Sequence, residues 1–236
     1  MRRSTRRVTI TLVALALFAG LVALGSWQVQ RRTWKLDLIE RVDARAHAAA
    51  VNAPLREQWT RVSAASDEYR HVRVTGTFTP DADTYVQAVT ERGAGFWVLT
   101  PLKLADGTVV IVNRGFVPPE LRGRVAQASG AVSVTGLLRL AEPHGGFLRR
   151  NDPAANRWFS RDAQAIATAR GVTNAAPWFI DADAGPADAN APVGGLTVIA
   201  FANNHLVYAI TWYTLALMVA AAAWRLMREE RRAGPD

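Results

Sequence analysis

His205 is the residue in this chain best placed to do chemistry. It opens an uncharged run, Leu206 to Trp224, that Arg225 ends, and it stands within Asn203-Asn204-His205-Leu206-Val207-Tyr208-Ala209-Ile210-Thr211-Trp212-Tyr213. At about 1.5 Å per residue the run just spans a ~30 Å hydrocarbon core. An imidazole at such an edge meets water on one side and lipid on the other, so it can ligate a metal and hold an amphipathic molecule. On a helix His205, Tyr208 and Trp212 align, as do Asn204, Tyr208 and Thr211. The plainer reading is an interfacial histidine and tyrosine, with Asn203 or Asn204 capping the helix.

A second chemical shelf lies near the other end of the chain. Trp27, Arg31, Trp34/Lys35 and Leu38 recur at three- and four-residue steps, with Arg32 beside them. Cations among aromatics can hold the carboxylates of a bound amphiphile. The plainer reading is an aromatic belt with snorkelling cations at lipid headgroups. Both shelves fall at the same membrane depth on the same side, as a shared site requires.

Two spans must position these shelves. Arg7 and Arg31 bracket 23 uncharged residues, Val8 to Gln30, rich in Leu, Val and Ala. A retained anchor fits this length. The rival is a cleaved signal peptide, with Ala23-Leu24-Gly25 before Ser26 as the cut site, but a signal core of ~7–15 residues is shorter. Arg2, Arg3, Arg6 and Arg7 precede the first span, and Arg225, Arg228, Arg231 and Arg232 follow the second. Both tails, 1–7 and 225–236, therefore read as cytoplasmic and residues 31–204 as extracytoplasmic. Arg31, Arg32 and Lys35 oppose this orientation and need a reason of their own.

The formal charge is +8, yet residues 36 to 224 hold 17 basic and 17 acidic side chains. The excess sits in the tails and in the Arg31/Arg32/Lys35 cluster, so nothing is left to neutralise a nucleic-acid backbone. Nucleic acid is excluded as a partner, and membrane lipid is implied. No cysteine is present, which removes thiolate metal sites. Four histidines, His47, His71, His144 and His205, show no metal-binding spacing, and Met1, Met218 and Met227 are badly placed to replace thiolates. A metal centre built from protein ligands alone is not expected. No hydrolase, zinc-protease, nucleotide-binding or dinucleotide-binding motif occurs. Ser160-Arg161-Asp162 has no adjacent histidine, and Asp67-Glu68 and Asp181/Asp183 read as solvated turn acids. The chain reads as a binding protein and not an enzyme.

Between the spans, Arg31 to about Val51 has a helical pattern that Asn52-Ala53-Pro54 stops. The period then becomes two. Val72–Phe78, Tyr85–Val89, Phe96–Leu104, Thr108–Phe116 and Val132–Leu140 read as strands, with Ala105-Asp106-Gly107 as a hairpin turn. Trp158-Phe159 and Pro177–Asp181 read as short β pieces, Asp162–Arg170 as a helix ended by Gly171, residues 182–195 as a flexible connector, and Leu196–Phe201 as a last strand. The fold class is an α+β membrane protein. Transmembrane helices at 8–30 and 205–224 flank a mostly antiparallel β domain, closed or half-closed, with a few helices.

Four stretches carry a resemblance. Leu24 to Lys35, Gly76-Thr77-Phe78, Asn113-Arg114-Gly115-Phe116 within Val112–Pro118, and Asn203 to Trp212 are similar, in order and spacing, to motifs of the Surfeit locus protein family. Phe116 stands where that family usually has tryptophan. The middle stretches are weak alone, and residues 140–195 match no motif. The resemblance implies a cofactor-binding chaperone, an assembly factor of haem-copper cytochrome c oxidase in the cell inner (plasma) membrane. It would deliver or hold haem a for subunit I, and the resemblance also admits haem A synthase as a partner. It implies His205 as the iron ligand, with Tyr208, Trp212, Trp27, Arg31, Arg32 and Lys35 around the cofactor. A farnesyl tail suits the cleft between two lipid-embedded helices, and propionates suit the cations. The alternative is a scaffold that holds a maturing oxidase subunit without binding haem. At Arg114, either a domain carboxylate pairs with it or it reaches a ligand.

Overall fold

The computed structural model describes residues 3–126, 130–143, 145–146, 148–185 and 191–232. Arg2, His144, residues 186–190 of the expected connector and residues 233–236 of the expected tail lie outside the described residues. The chain divides into two compact units, Met1–Arg41 with Ala200–Asp236, and Val42–Ile199.

The first unit holds most of α1 (Arg3–Ala46) and all of α3 (His205–Arg232). Thr5–Ala46 and His205–Glu229 are each long and apolar enough to cross a membrane. Leu12, Leu15, Leu217 and Met218 are more than half exposed, a density of bare hydrocarbon that suits lipid. α1 runs unbroken past Gln30, as its periodicity indicates, but ends at Ala46 and not near Val51. Val51–Asn52 forms β1 instead, paired in parallel with Val72 and Arg73. A ladder partner distant in sequence overrides the helix propensity of the alanines.

The second unit is built on β2 (His71–Phe78), β3 (Thr84–Thr90), β4 (Gly93–Leu104), β5 (Val109–Val117), β6 (Ala131–Leu140) and β7 (Ala175–Ala182). The sheet order is β1-β2-β6-β7-β5-β4-β3, and β2 also pairs with β4. That extra pairing closes β2, β6, β7, β5 and β4 into a ring, with Gly76 in register with both Val132 of β6 and Leu104 of β4. Among the pairings of the described strands β1–β2 and β5–β7 are parallel and the others antiparallel, so the expectation of a mostly antiparallel sheet holds.

Alternation along the strands builds two larger cores beside a small cluster of Val98, Val117 and Val125. Val72, Val74, Phe78, Val110, Val112, Leu138, Trp178 and Ile180 pack into one. The opposite faces, Leu99, Ile111 and Phe179, pack with Val86, Trp158, Ala163, Ile166 and Ala167. Much of that second layer comes from residues 141–174, which match no motif. α2 (Ala163–Ala169) lies there, its N-terminus capped by Asp162, whose side chain accepts from the Ala165 N–H. In the β4–β5 turn, Asp106 accepts from both the backbone N–H and the hydroxyl of Thr108. Leu196–Phe201 forms no strand. It lacks a ladder partner, and the Thr197 hydroxyl instead donates to Asp181 at 2.9 Å.

The structure corrects the reading of the paired acids as solvated. Asp181 is 3% exposed. It accepts from Asn113 Nδ2 at 2.7 Å, from the Arg139 guanidinium at 2.9 Å, from the Arg161 guanidinium at 3.0 Å and from Thr197. Arg139 also donates to Glu68, and Arg161 to Glu142. Burial works against both guanidinium charges. Asp181, with Glu68 for Arg139 and Glu142 for Arg161, outweighs it and holds both groups above the ordinary arginine value. Asp67 is buried as well. Burial raises its carboxyl, yet hydrogen bonds from Ser66, Ser63 and Arg70 keep it below the usual range.

Asn113-Arg114-Gly115 lies inside β5 and not at a strand end. Val98 pairs with Gly115 and Leu99 with Asn113, so Arg114 is the extra residue of a β-bulge. Asn113, before the bulge, lies in register with Asp181 of β7. Beyond the bulge Gly115, at φ +129°, comes so near the Val193 backbone that a side chain has no room. The Arg114 guanidinium donates to the Ala126 carbonyl at 2.7 Å, lies 3.8 Å from Asp83 and stacks over Phe78. These contacts match the structural reading of Arg114.

His71 ties two chain segments to β2. One ring nitrogen is 2.8 Å from the Ala48 carbonyl and the other is 2.8 Å from Asp183. Both partners accept, so the protonated ring satisfies both. The hydrogen bond to Asp183 raises its pKa above 6.5, burial opposes, and the Ala48 carbonyl adds to the rise. A raised folded value gives stability that is complete below pH ~6.5 and is lost as pH climbs through the folded pKa. The Tm advantage of the wild type over His71→Ala should therefore be largest near pH 6 and shrink toward pH 9. A difference independent of pH would show that the ring is not charged in this bridge.

Candidate functional site

The candidate site lies within the first unit, on the seam between α1 and α3. Contacts along the seam pair Thr11 with Met227, Ser26 with Tyr213, Gln28 with His205, and Lys35 with Phe201. Rising numbers on one helix meet falling numbers on the other, so the helices are antiparallel. His205, Gln28 and the cations that follow Gln30 share one end of the pair.

Small residues permit this seam. A side-chain carbon on Gly25 would sit 2.7 Å from the Tyr213 ring. Ala209 and Ala216 are buried opposite. The Ser26 and Tyr213 hydroxyls are 3.1 Å apart, a clasp beside the glycine. One helical turn on, Gln28 is 9% exposed, and its Oε1 lies 2.7 Å from His205 Nδ1. Among the described residues His205 Nε2 has no hydrogen-bond partner. The Asn203 Oδ1 and Trp212 Nε1 atoms are buried and also lack one. The Asn204 carbonyl accepts the Tyr208 N–H at the start of α3.

The seam divides the expected site residues into two groups. His205, Trp212, Arg32 and Lys35 are half-buried, and Lys35 Nζ lies 5.0 Å from the centre of the Phe201 ring. Trp27, Arg31 and Tyr208 are exposed, and the Arg31 guanidinium stacks on Trp34 at 4.2 Å. The single shelf of Trp27, Arg31 and Lys35 is thus split, because inward positions follow Gly25, Gln28, Arg32 and Lys35. On α3 the inward positions follow His205, Ala209, Trp212 and Ala216, and Tyr208 falls outside them. Gln28 was missed from sequence. Its signal is an amide inside an apolar span, where a polar group is costly unless paired. Among the described residues no three of His, Cys, Asp and Glu come together to hold a metal ion.

The model of the SURF1 family matches residues 15–217. The chain belongs to the SURF1 family. It is 36% identical to Surfeit locus protein 1 of Xenopus tropicalis, over 87% of this chain and 70% of that protein. It is 37% identical to Surfeit locus protein 1 of Homo sapiens, over 82% and 69%, and 33% identical to that of Takifugu rubripes, over 85% and 90%. The SURF1 match contains both sides of the seam, Gln28 and His205 included.

Because the seam relies on a missing side chain, Gly25→Leu should force Tyr213 away and cost about 1–3 kcal/mol, the usual overpacking range. Thermal denaturation in detergent measures it. Adding Tyr213→Ala should recover most of the loss, and a double variant no better than Gly25→Leu alone would refute the close approach.

Proposed function

We propose that this protein is an assembly factor of haem-copper cytochrome c oxidase, holding haem a at the outer interface of the inner membrane and aiding its insertion into subunit I. The observation that carries the reading is the half-buried His205, held through Nδ1 while Nε2 stays unengaged. A neutral imidazole nitrogen of this kind suits haem iron. Haem a would supply an iron that takes a nitrogen ligand and a porphyrin with an apolar tail. The exposed leucines and valines of both spans suit that tail, and Arg32 and Lys35 suit its propionates, with Arg31 further outside. The Asn203 oxygen and the Trp212 N–H, two positions before and seven after His205, are buried without a hydrogen-bond partner. Haem A synthase is a candidate donor of the cofactor.

A second reading, a scaffold for a maturing subunit without haem of its own, is favoured by apolar side chains bared on the β domain. Val89, Leu148 and Val198 are 87%, 89% and 72% exposed, as a surface awaiting another protein would be.

The tail arginines support a topology with both termini cytoplasmic and the β domain outside. A fusion near Asp106 should be active only for a reporter that requires export, and one after Arg232 only for a cytoplasmic reporter. The opposite result at either site overturns this topology, and a mature N-terminus at Ser26 replaces the anchor with a signal peptide.

The purified wild type should show a haem a absorption spectrum. His205→Ala should insert and fold yet lose the haem or shift its spectrum. Met218 is 13 residues along α3, roughly 20 Å away, and cannot substitute. Losing Lys35 or Arg31 should weaken retention more mildly, since interfacial ion pairs are modest contributors. If His205→Ala binds haem a with unchanged spectrum and affinity, the scaffold reading replaces this one.

A further inference from the structure

We propose that Gln28 is a positioning residue that sets the tautomer of His205, placing the proton on Nδ1 and leaving the Nε2 lone pair as the free ligand atom. Its consequence for haem rests on the reading above, whereas the tautomer itself does not. The amide oxygen of Gln28 lies 2.7 Å from Nδ1. Only an N–H can satisfy an acceptor at that distance, so Nδ1 carries the hydrogen. The reverse amide orientation would present NH2 to Nδ1 and push the proton onto Nε2, which closes the ligand position.

The surroundings require a paired amide here. Gln28 is 9% exposed within an apolar stretch, so an unpaired amide there is costly. One turn earlier, Gly25 lets the Tyr213 ring approach, and the Ser26–Tyr213 hydroxyl pair holds the helices in register. With that register set, the Gln28 side chain reaches the first residue of α3. A histidine that ligates a metal usually donates its other N–H to an oxygen that orients the ring, and removing that oxygen typically costs 10–100-fold in affinity. Glutamine supplies such an oxygen without adding a charge to the apolar seam.

The test is nitrogen-15 NMR of the full chain, labelled on histidine, in lipid nanodiscs without haem, with His205→Ala used to assign the signal. In the wild type His205 should show a protonated Nδ1 and an unprotonated Nε2. Gln28→Leu, which removes the acceptor, should shift His205 toward the Nε2–H form. Gln28→Glu, whose carboxylate only accepts, should keep Nδ1 protonated. It also serves as the second variant if the leucine form fails to insert. A wild-type His205 in the Nε2–H form overturns the proposal, as does a Gln28→Leu spectrum identical to wild type, or loss of the Nδ1 proton in Gln28→Glu.

Haem a is then titrated into the same samples. Gln28→Leu should retain it at least about tenfold less tightly, with an altered axial-ligand signature. If the tautomer shifts as expected while haem a binding is unchanged, the positioning role of Gln28 stands and His205 is not the haem ligand. That result counts against the proposed function alone.

Discussion

A polar side chain inside an apolar span has to find its partner on a neighbouring helix, and in this protein Gln28 finds His205. Much of the helical unit follows from that constraint. The pair sets which residues of α1 and α3 share a level, and Gly25 with Tyr213 sets how near the helices come. Once the seam is in register, Arg32 and Lys35 fall on its side, and Trp27, Arg31 and Tyr208 face away. An imidazole held through one nitrogen is an oriented imidazole. The same contact satisfies a buried amide.

The β unit solves a related problem with charge. Closing five strands into a ring brings the end of β7 between β5 and β6, where Asp181 is cut off from water. An unpaired carboxylate there would be intolerable, so Arg139, Arg161, Asn113 and Thr197 all converge on it. Asn113 reaches it from the period-two face of β5 that it shares with Ile111, in register with Asp181 on β7. Residues 141–174 add Arg161 to the network and α2 and Trp158 to the outer core. Their place in the molecule is architectural.

Membership of the SURF1 family and the seam meet at the same residues. The matched region reaches from within α1 to within α3, so it takes in the whole β unit and both partners of the Gln28–His205 contact. The bared Val89 and Leu148 leave that unit surfaces suited to protein contact.

Local sequence by itself determined the two long apolar helices, six of the seven strands to within a few residues, α2 and the Asp106 turn. Each depends on neighbours within a few positions, where a repeat of two or 3.6 and a capping side chain act directly. His205 was legible because a histidine at the edge of an apolar run stands out by type and place. Only the tertiary structure decided the rest. Val51 looked like the end of a helix until a partner in β2 claimed it, and Leu196–Phe201 looked like a strand but had no partner to claim it. Asp181 looked solvated because nothing local reveals that a ring closes over it. The inward faces of α1 and α3 could not be told from their own spacing, since a helix apolar nearly all round does not announce which stripe meets its neighbour. Gln28 faces His205 across 177 positions of sequence, and a contact of that range exists only once the chain has folded back on itself.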